Sequence, residues 1–348
     1  MLVEEKELSV QKGGVFRIFS EPPADWDEFV DLNTGCLFHK ERWGKTVAEG
    51  YGMQPLYACW RQDGRLALGL HGHIFNFGFF KLFFSAVPYG GLIGEQTLAA
   101  EFMDLFEAQL KEKGIHQIRV TQAAEAPFNP LCGYQPKNAQ QHLLDLRGKS
   151  AQGLMQEYRK NTRRDVKKAV KSGLLVRPIR SAADLDTYYD IYQKTMRRNK
   201  ALCQYTRNLY RVIYREYLRR GDSIVLFAEC QGKPVAAVWL LFAADRAYLL
   251  GSVSDPAYLK YCPNDLLIHT AIEETLKRGL NYFDFMMSDE QDRALVFYKE
   301  KWGAAKLPFA IWQKDLSLLR CALWRFIWTF SNSNFGSLLI NTFRRFHE

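Results

Sequence analysis

Cysteine occurs seven times in 348 residues but never in a pattern. Cys36, Cys59, Cys132, Cys203, Cys230, Cys262 and Cys321 form no C-x-x-C pair and have no His-x-x-x-His partner. That spacing speaks against a zinc site and a disulfide framework and suits a reducing cytoplasm. No uninterrupted apolar run reaches the roughly 18 residues of a spanning helix. The opening MLVEEKELSVQKGG is acidic and polar where a secretory leader would be basic and then apolar. The expectation is a soluble cytoplasmic protein, at most peripheral at the inner membrane face. No short-period repeat is visible, and no metal is expected: His71 and His73 share a strand face, but a third ligand is missing.

What is present points to an α/β chain of two domains. A hydrophobic content of 47% supports a sizeable core, and the length exceeds the usual single domain. Charge is unevenly placed. Residues 1–150 carry 15 Lys and Arg against 18 Asp and Glu, the remainder 32 against 20. A basic second half implies a polyanionic partner: nucleic acid, nucleotide phosphates or an anionic membrane.

In the first half, alternation and turn residues predict strands over Pro55–Trp60, Leu66–Phe77 and Lys81–Val87, a helix over Thr97–Lys113 and a strand over His116–Thr121. The Pro- and Gly-rich stretch Glu125–Asn138 precedes a seam placed near residue 148. One basic helix is predicted over Gly153–Ser172. Strands Ser223–Cys230, Pro234–Ala243, Arg246–Val253 and Tyr282–Met286 follow, with helices Asn264–Arg278 and Arg293–Lys301 and a last strand Pro308–Trp312. EFMDLFEAQLKEKGIHQIRV and LLIHTAIEETLKRGLNYFDFM share a helix, Gly, strand order, which suggests two similar units in tandem. The expected domains are 1–148 and 149–313, with a helical extension over 314–348.

The block Ser223–Gly303 resembles the GNAT superfamily: IVLFAECQGKPVAAVWLLF its central hairpin, AYLLGSVSDPAYLKYCPNDLLIHTAIEETLKRGLNYFDFM its next strand, loop, helix and strand. LVFYKEKWGA, YRKNTRRDVKKAVKSGL, KTMRRN and SAVPYGG are similar to segments of the Fem-type aminoacyl-tRNA-dependent peptidyltransferases. The resemblance implies mixed α+β sheets in two tandem GNAT-like domains. It also implies N-acyl transfer, in the Fem case of an aminoacyl group from tRNA, to an amine on a cell-wall precursor, nucleotide sugar or surface polysaccharide. The cleft would lie between the domains, beside the second domain's basic face, and no cofactor would be bound. Acetyl-CoA-using GNATs cradle pyrophosphate on a basic, glycine-rich loop at a helix N-terminus. Here Tyr258–Asp265 reads YLKYCPND, without glycine, which puts coenzyme A in doubt. An acyl-CoA donor is the alternative, and a non-catalytic polyanion-binding module the reading from another class.

Arg159, Lys160, Arg163, Arg164, Lys167, Lys168 and Lys171 put seven cations into thirteen residues with only Asp165 against them. Arg159, Arg163 and Lys167 recur every four residues, either a polyanion-binding stripe or a solvated face. Leu154, Tyr158, Val166, Ala169 and Val170 would form the buried side. The resemblance places Lys299 at the acyl-transfer centre, where an ammonium would stabilise an oxyanion or hold a phosphate; a surface lysine is the plain alternative. Phe297, Tyr298 and Trp302 would press its helix to the core. Asp284, at a strand end, would orient or deprotonate the acceptor amine or serve a structural pair. Arg198 would meet a phosphate of the acceptor. Tyr205, Asn264, Tyr298, Tyr89 and Gly90 complete the substrate-binding set, the last two in the glycine-bearing loop Ser85–Gly91. The apolar segment Leu316–Phe330, with Trp324, Trp328, Arg320 and Arg325, suits a membrane interface or docking on protein, and FRRFH (Phe343–His347) extends it.

Overall fold

A computed structural model describes residues 8–9, 14–123 and 131–331; the Phe343–His347 motif and residues 125–130 of the Pro-rich stretch lie outside them. In chain order the elements are β1 (Leu8–Ser9), β2 (Gly14–Phe19), α1 (Trp26–Leu32), α2 (Glu41–Tyr51), β3 (Gln54–Gln62), β4 (Arg65–Asn76), β5 (Lys81–Ser85), β6 (Ile93–Gly94), α3 (Ala99–Glu112) and β7 (Gln117–Ala123). Next come β8 (Gln135–Asp145), α4 (Ala151–Glu157), α5 (Lys160–Lys171), β9 (Leu175–Pro178), α6 (Ala183–Arg198), α7 (Arg207–Glu216), β10 (Ser223–Cys230), β11 (Lys233–Ala243) and β12 (Arg246–Ser254). The chain continues through α8 (Pro263–Lys277), β13 (Tyr282–Asp289), α9 (Arg293–Glu300), β14 (Ala305–Asp315) and α10 (Leu318–Ser331). No helix among the described residues is long and apolar enough to cross a membrane.

The chain divides into two compact units, Met1–Ala139 with Pro308–Phe326 and Gln140–Leu307 with Ile327–Glu348. The division falls before the seam expected near residue 148. The strand predicted at Pro308–Trp312 also changes side: within β14 it pairs antiparallel with β7, Phe309 opposite Ala123 and Asp315 opposite Gln117. The described part of the expected extension, 314–331, is therefore no separate body, since its first residues are strand and α10 packs through Cys321 and Trp324 against Phe80 and Leu82. Local sequence gives Pro308–Trp312 strand character but not a partner, and pairing with β7 is a long-range choice.

In the first unit β2, β3, β4 and β5 form an antiparallel meander, and β7 runs parallel beside β5. β3 turns into β4 at Asp63 and Gly64, both with positive φ, a two-residue hairpin turn that matches strand twist and favours glycine at its second position. α3 supplies Phe102, Phe106 and Leu110 to a core shared with Phe16, Trp60, Leu70 and Ile118.

The second unit orders its strands β8-β13-β12-β11-β10-β9. β10 to β12 are antiparallel, and β12 and β13 are parallel. Gln231 and Gly232 repeat the positive-φ hairpin turn between β10 and β11. α8 lays Leu267, Ile268, Ala271 and Ile272 on Val238, Leu240, Ala247 and Phe283. The helix starts are locally encoded: Ser150 accepts from Gly153 N–H, Thr206 from Leu209 and Asp292 from Leu295.

Three buried histidines in the first unit set its acid response. His39 accepts from Cys36 N–H at Nδ1 (3.1 Å) and lies 3.2 Å from Gly91 O at Nε2; His73 Nε2 lies 2.9 Å from Gly44 O. Burial lowers His39 and His73 to about 4 and His71 well below the usual histidine value. The unfolded chain, titrating near 6.5, then binds protons that the folded unit refuses. Their neutral fit is fully present above pH 6.5 and is lost as pH falls towards 4. The unfolding midpoint should drop steeply between pH 6.5 and 4.5, and His39→Gln/His73→Gln should flatten that drop; a pH-independent midpoint in the parent contradicts the assignment.

Candidate functional site

The site of the second unit begins where two parallel strands part. β12 and β13 are in register only from Arg246–Tyr282 to Tyr248–Asp284. On its other edge β12 carries a bulge, since Trp239 faces Gly251 while Leu240 faces Leu249. Leu250 is thus the extra residue, and a bulge takes backbone groups out of the regular ladder. Gly251 is required by packing: a Cβ there would collide with the Tyr188 hydroxyl.

Asp284, fully buried, occupies the last paired position. Its Oδ1 accepts the N–H of Met286 (2.7 Å) and its Oδ2 the side-chain amide of Gln141 (2.7 Å), with Arg246 Nη1 at 3.7 Å. Met286 has φ +65° inside a strand, a left-handed conformation that costs a side-chain-bearing residue about 1–2 kcal/mol. Lys299 holds the other side of that turn. Its Nζ donates to Met286 O (3.0 Å), Met287 O (2.9 Å) and Ser288 Oγ (3.3 Å). The side chain is only 5% exposed. Burial lowers its pKa to about 8, opposed by Asp284 and Asp292, so the ammonium form still predominates at neutral pH.

This corrects the surface-lysine expectation for Lys299: the side chain is buried and its three donors go to β13. Phe297 is corrected as well: it is exposed, under Arg159 at 4.8 Å, while Trp302 is fully buried and Tyr298 packs partly against the core. Ser288 Oγ lies 3.4 Å from His142 Nδ1, and burial together with the Lys299 and Lys306 cations lowers His142 to about 4. Gln141, His142, Arg246 and Ser288 were not found by sequence reasoning. Each is a common residue type whose role comes from β8 lying beside β13.

The far end of β12 gathers two of the expected substrate-binding residues. Arg198 Nη1 donates to Ser254 Oγ (3.0 Å) and Asn264 Nδ2 to Ser252 Oγ (2.9 Å). Thr195 Oγ1 accepts from Ser254 N and donates to Ser254 O, tying α6 to the strand. Tyr205 stands apart, in an aromatic group with Tyr192 and Tyr210, and burial raises its hydroxyl pKa. Tyr298 lies under the Lys301 ammonium at 4.3 Å.

The entry to α8 offers an anion few free N–H groups. Cys262 is left-handed at φ 56°, Pro263 supplies no N–H, and the N–H groups of Asp265 and Leu266 both donate to Cys262 O. The Asp265 carboxylate pairs with Lys301, and burial raises its pKa against that pairing. Asp165, Cys262 and Asp265 place their ligand-type atoms within 4.8 Å of one another, and Lys301 already serves this group as its cation.

In the first unit Tyr89 and Gly90 are both buried, which corrects their assignment to a ligand-facing loop. Tyr89 packs edge-on against Phe38 (4.9 Å) and Phe309 (5.6 Å). Gly90 N–H donates to Thr121 Oγ1 (3.0 Å), and a Cβ at Gly90 would lie 2.6 Å from Ala86 Cβ. Packing is what calls for glycine here.

The basic segment is two helices. Tyr158, buried edge-on against Trp302 (5.0 Å), and Arg159, whose N–H donates to Lys301 O (3.3 Å), are extended at ψ 147° and separate α4 from α5. Arg159 leaves the expected stripe, with Glu300 at 3.9 Å and the Phe297 ring beneath it. Val170 is exposed rather than buried. Lys160, Arg163, Arg164, Lys167, Lys168 and Lys171 line one continuous concave surface. Among the described residues only Arg164 has a carboxylate at ion-pair distance, Asp165 at 3.1 Å.

Residues 156–300 match the family described as "Acetyltransferase (GNAT) domain". No curated protein matches the chain. Among solved structures, FemX is similar at TM-score 0.60 with 14% identity, covering 84% of this chain and 96% of its own. L-PGS from Bacillus licheniformis has TM-score 0.56 and 12% identity, with 90% and 98% covered. A tandem GNAT protein from the clavulanic acid biosynthesis pathway gives 0.56 and 10%, with 86% and 98% covered. The fold is thus that of tandem GNAT-like domains.

The geometry around Lys299 is testable by stability. Lys299→Met leaves Met286 O, Met287 O and Ser288 Oγ without their buried donor, and should cost about 2–4 kcal/mol. Urea unfolding measures it; a loss under about 0.5 kcal/mol, as at a surface position, contradicts the clamp.

Proposed function

With residues 156–300 a GNAT domain and the chain an acyltransferase, we propose that it transfers an aminoacyl group from tRNA to a primary amine on a cell-wall precursor, nucleotide sugar or surface polysaccharide. The observation that carries this reading is the α5 surface, five of whose six cations have no carboxylate at ion-pair distance among the described residues. Such a surface suits a long polyanion, because each phosphate neutralised releases a condensed counterion. The entry to α8 supports a donor other than acyl-CoA: a pyrophosphate there would meet an acidic side chain and a proline instead of free N–H groups.

In the reaction the acceptor nitrogen attacks the ester carbonyl carbon, the carbonyl oxygen takes the negative charge, and the carbon–oxygen bond to the donor ribose breaks. The amine's proton passes to the departing ribose oxygen. The bulge at Leu250, beside the point where β12 and β13 part, is the candidate source of an N–H for the oxyanion. Lys299 and Asp284 fix the shape of β13 opposite it. Arg198 and Asn264, at the far end of β12, would meet the acceptor's phosphate or polar groups. A dedicated base is not required, since a neutral amine held in position can react.

Lys160→Glu/Lys167→Glu/Lys171→Glu tests the reading. These positions are exposed, so stability should shift by only about 0.5 kcal/mol at each. The slope of log K for tRNA against log salt should flatten by about two to three, while calorimetry with acetyl-CoA should show no micromolar binding. An unchanged slope and affinity, or tight acetyl-CoA binding, moves the donor to acyl-CoA.

A further inference from the structure

Along one side α10 packs on the first unit. Cys321 is fully buried and donates to His116 O (3.1 Å), Trp324 stacks on Phe80 (4.7 Å between centroids, 6° between planes), and Arg325 pairs with Asp315 at 2.5 Å. The opposite side is an exposed apolar stripe. Leu319 (83% exposed), Leu323, Phe326 (70%) and Phe330 recur at four, three and four residues, the spacing of one helical face. Phe77 and Phe79, exposed in the turn between β4 and β5, lie against the Trp324 ring, 4.5 and 6.2 Å away.

The charge carried by this part of the sequence selects the occupant of the apolar stripe. From Leu316 to His347 the sequence has four arginines and no Asp or Glu. With only Glu348 against its four arginines, a net cationic segment carrying exposed Leu, Phe and Trp has the composition of a helix lying in the plane of an anionic bilayer surface, apolar side inward. Arginines near such a surface are attracted to it. A second copy would bring the same cations to face themselves, which disfavours self-association through this side.

We propose that α10, together with the Phe77–Phe79 turn, docks the protein on an anionic lipid surface. This does not rest on the donor or acceptor of acyl transfer. The test is co-sedimentation of the full chain with vesicles of phosphatidylglycerol and phosphatidylcholine at 3:7, and with phosphatidylcholine alone. The protein should bind the anionic vesicles at least tenfold more tightly. Leu319→Glu/Phe326→Glu should weaken that binding at least tenfold with an unchanged melting midpoint, since both side chains are exposed. The α5 triple variant should retain most of it. Three outcomes overturn the proposal: no vesicle binding by the parent, full binding by Leu319→Glu/Phe326→Glu, or a parent dimer that this variant dissolves with no vesicle binding by either. Transfer to a soluble acceptor should be unchanged in Leu319→Glu/Phe326→Glu, so failure of the docking reading stays distinct from failure of the transferase reading.

Discussion

A buried ammonium and a buried carboxylate hold β13 in a conformation it would not otherwise keep. Asp284 accepts the Met286 N–H, and Lys299 donates to the carbonyls of Met286 and Met287, so both polar ends of a left-handed residue are satisfied by charged groups. Charge-assisted hydrogen bonds of this kind are about twice as strong as neutral ones, enough to offset the local conformational cost. Beyond the turn β13 no longer follows β12. Removing either charge would leave the other buried without its support, the costly half of such arrangements.

The same logic separates the two helix entries of the second unit. At α8, Pro263, the Cys262 carbonyl and the Asp265–Lys301 pair consume what an anion would use. At α5 the reverse holds: cations accumulate on an exposed face with a single carboxylate to answer them. One helix entry offers an anion little, and the other helix exposes an extended cationic face. An extended face suits a chain of phosphates better than a single pyrophosphate, because its attraction grows with the number of contacts.

Charge asymmetry, the strands and helices named from alternation and turn residues, and the order of elements that resembles GNAT proteins were legible in the sequence, because each depends on residue types and on neighbours within a few positions. Lys299 and Asp284 could be singled out, but not what they do. The sequence also showed the cations of Arg159–Lys171 without showing that Tyr158 packs on Trp302 and interrupts their helix. What only the tertiary structure decided is which residues satisfy which: Lys299 against the β13 carbonyls, Arg159 against Glu300, Gly90 against Ala86, β14 against β7. Hydrogen-bond and packing partners far apart in the chain are chosen by burial, where an unmet polar group or a clash is expensive, and no local pattern carries that choice.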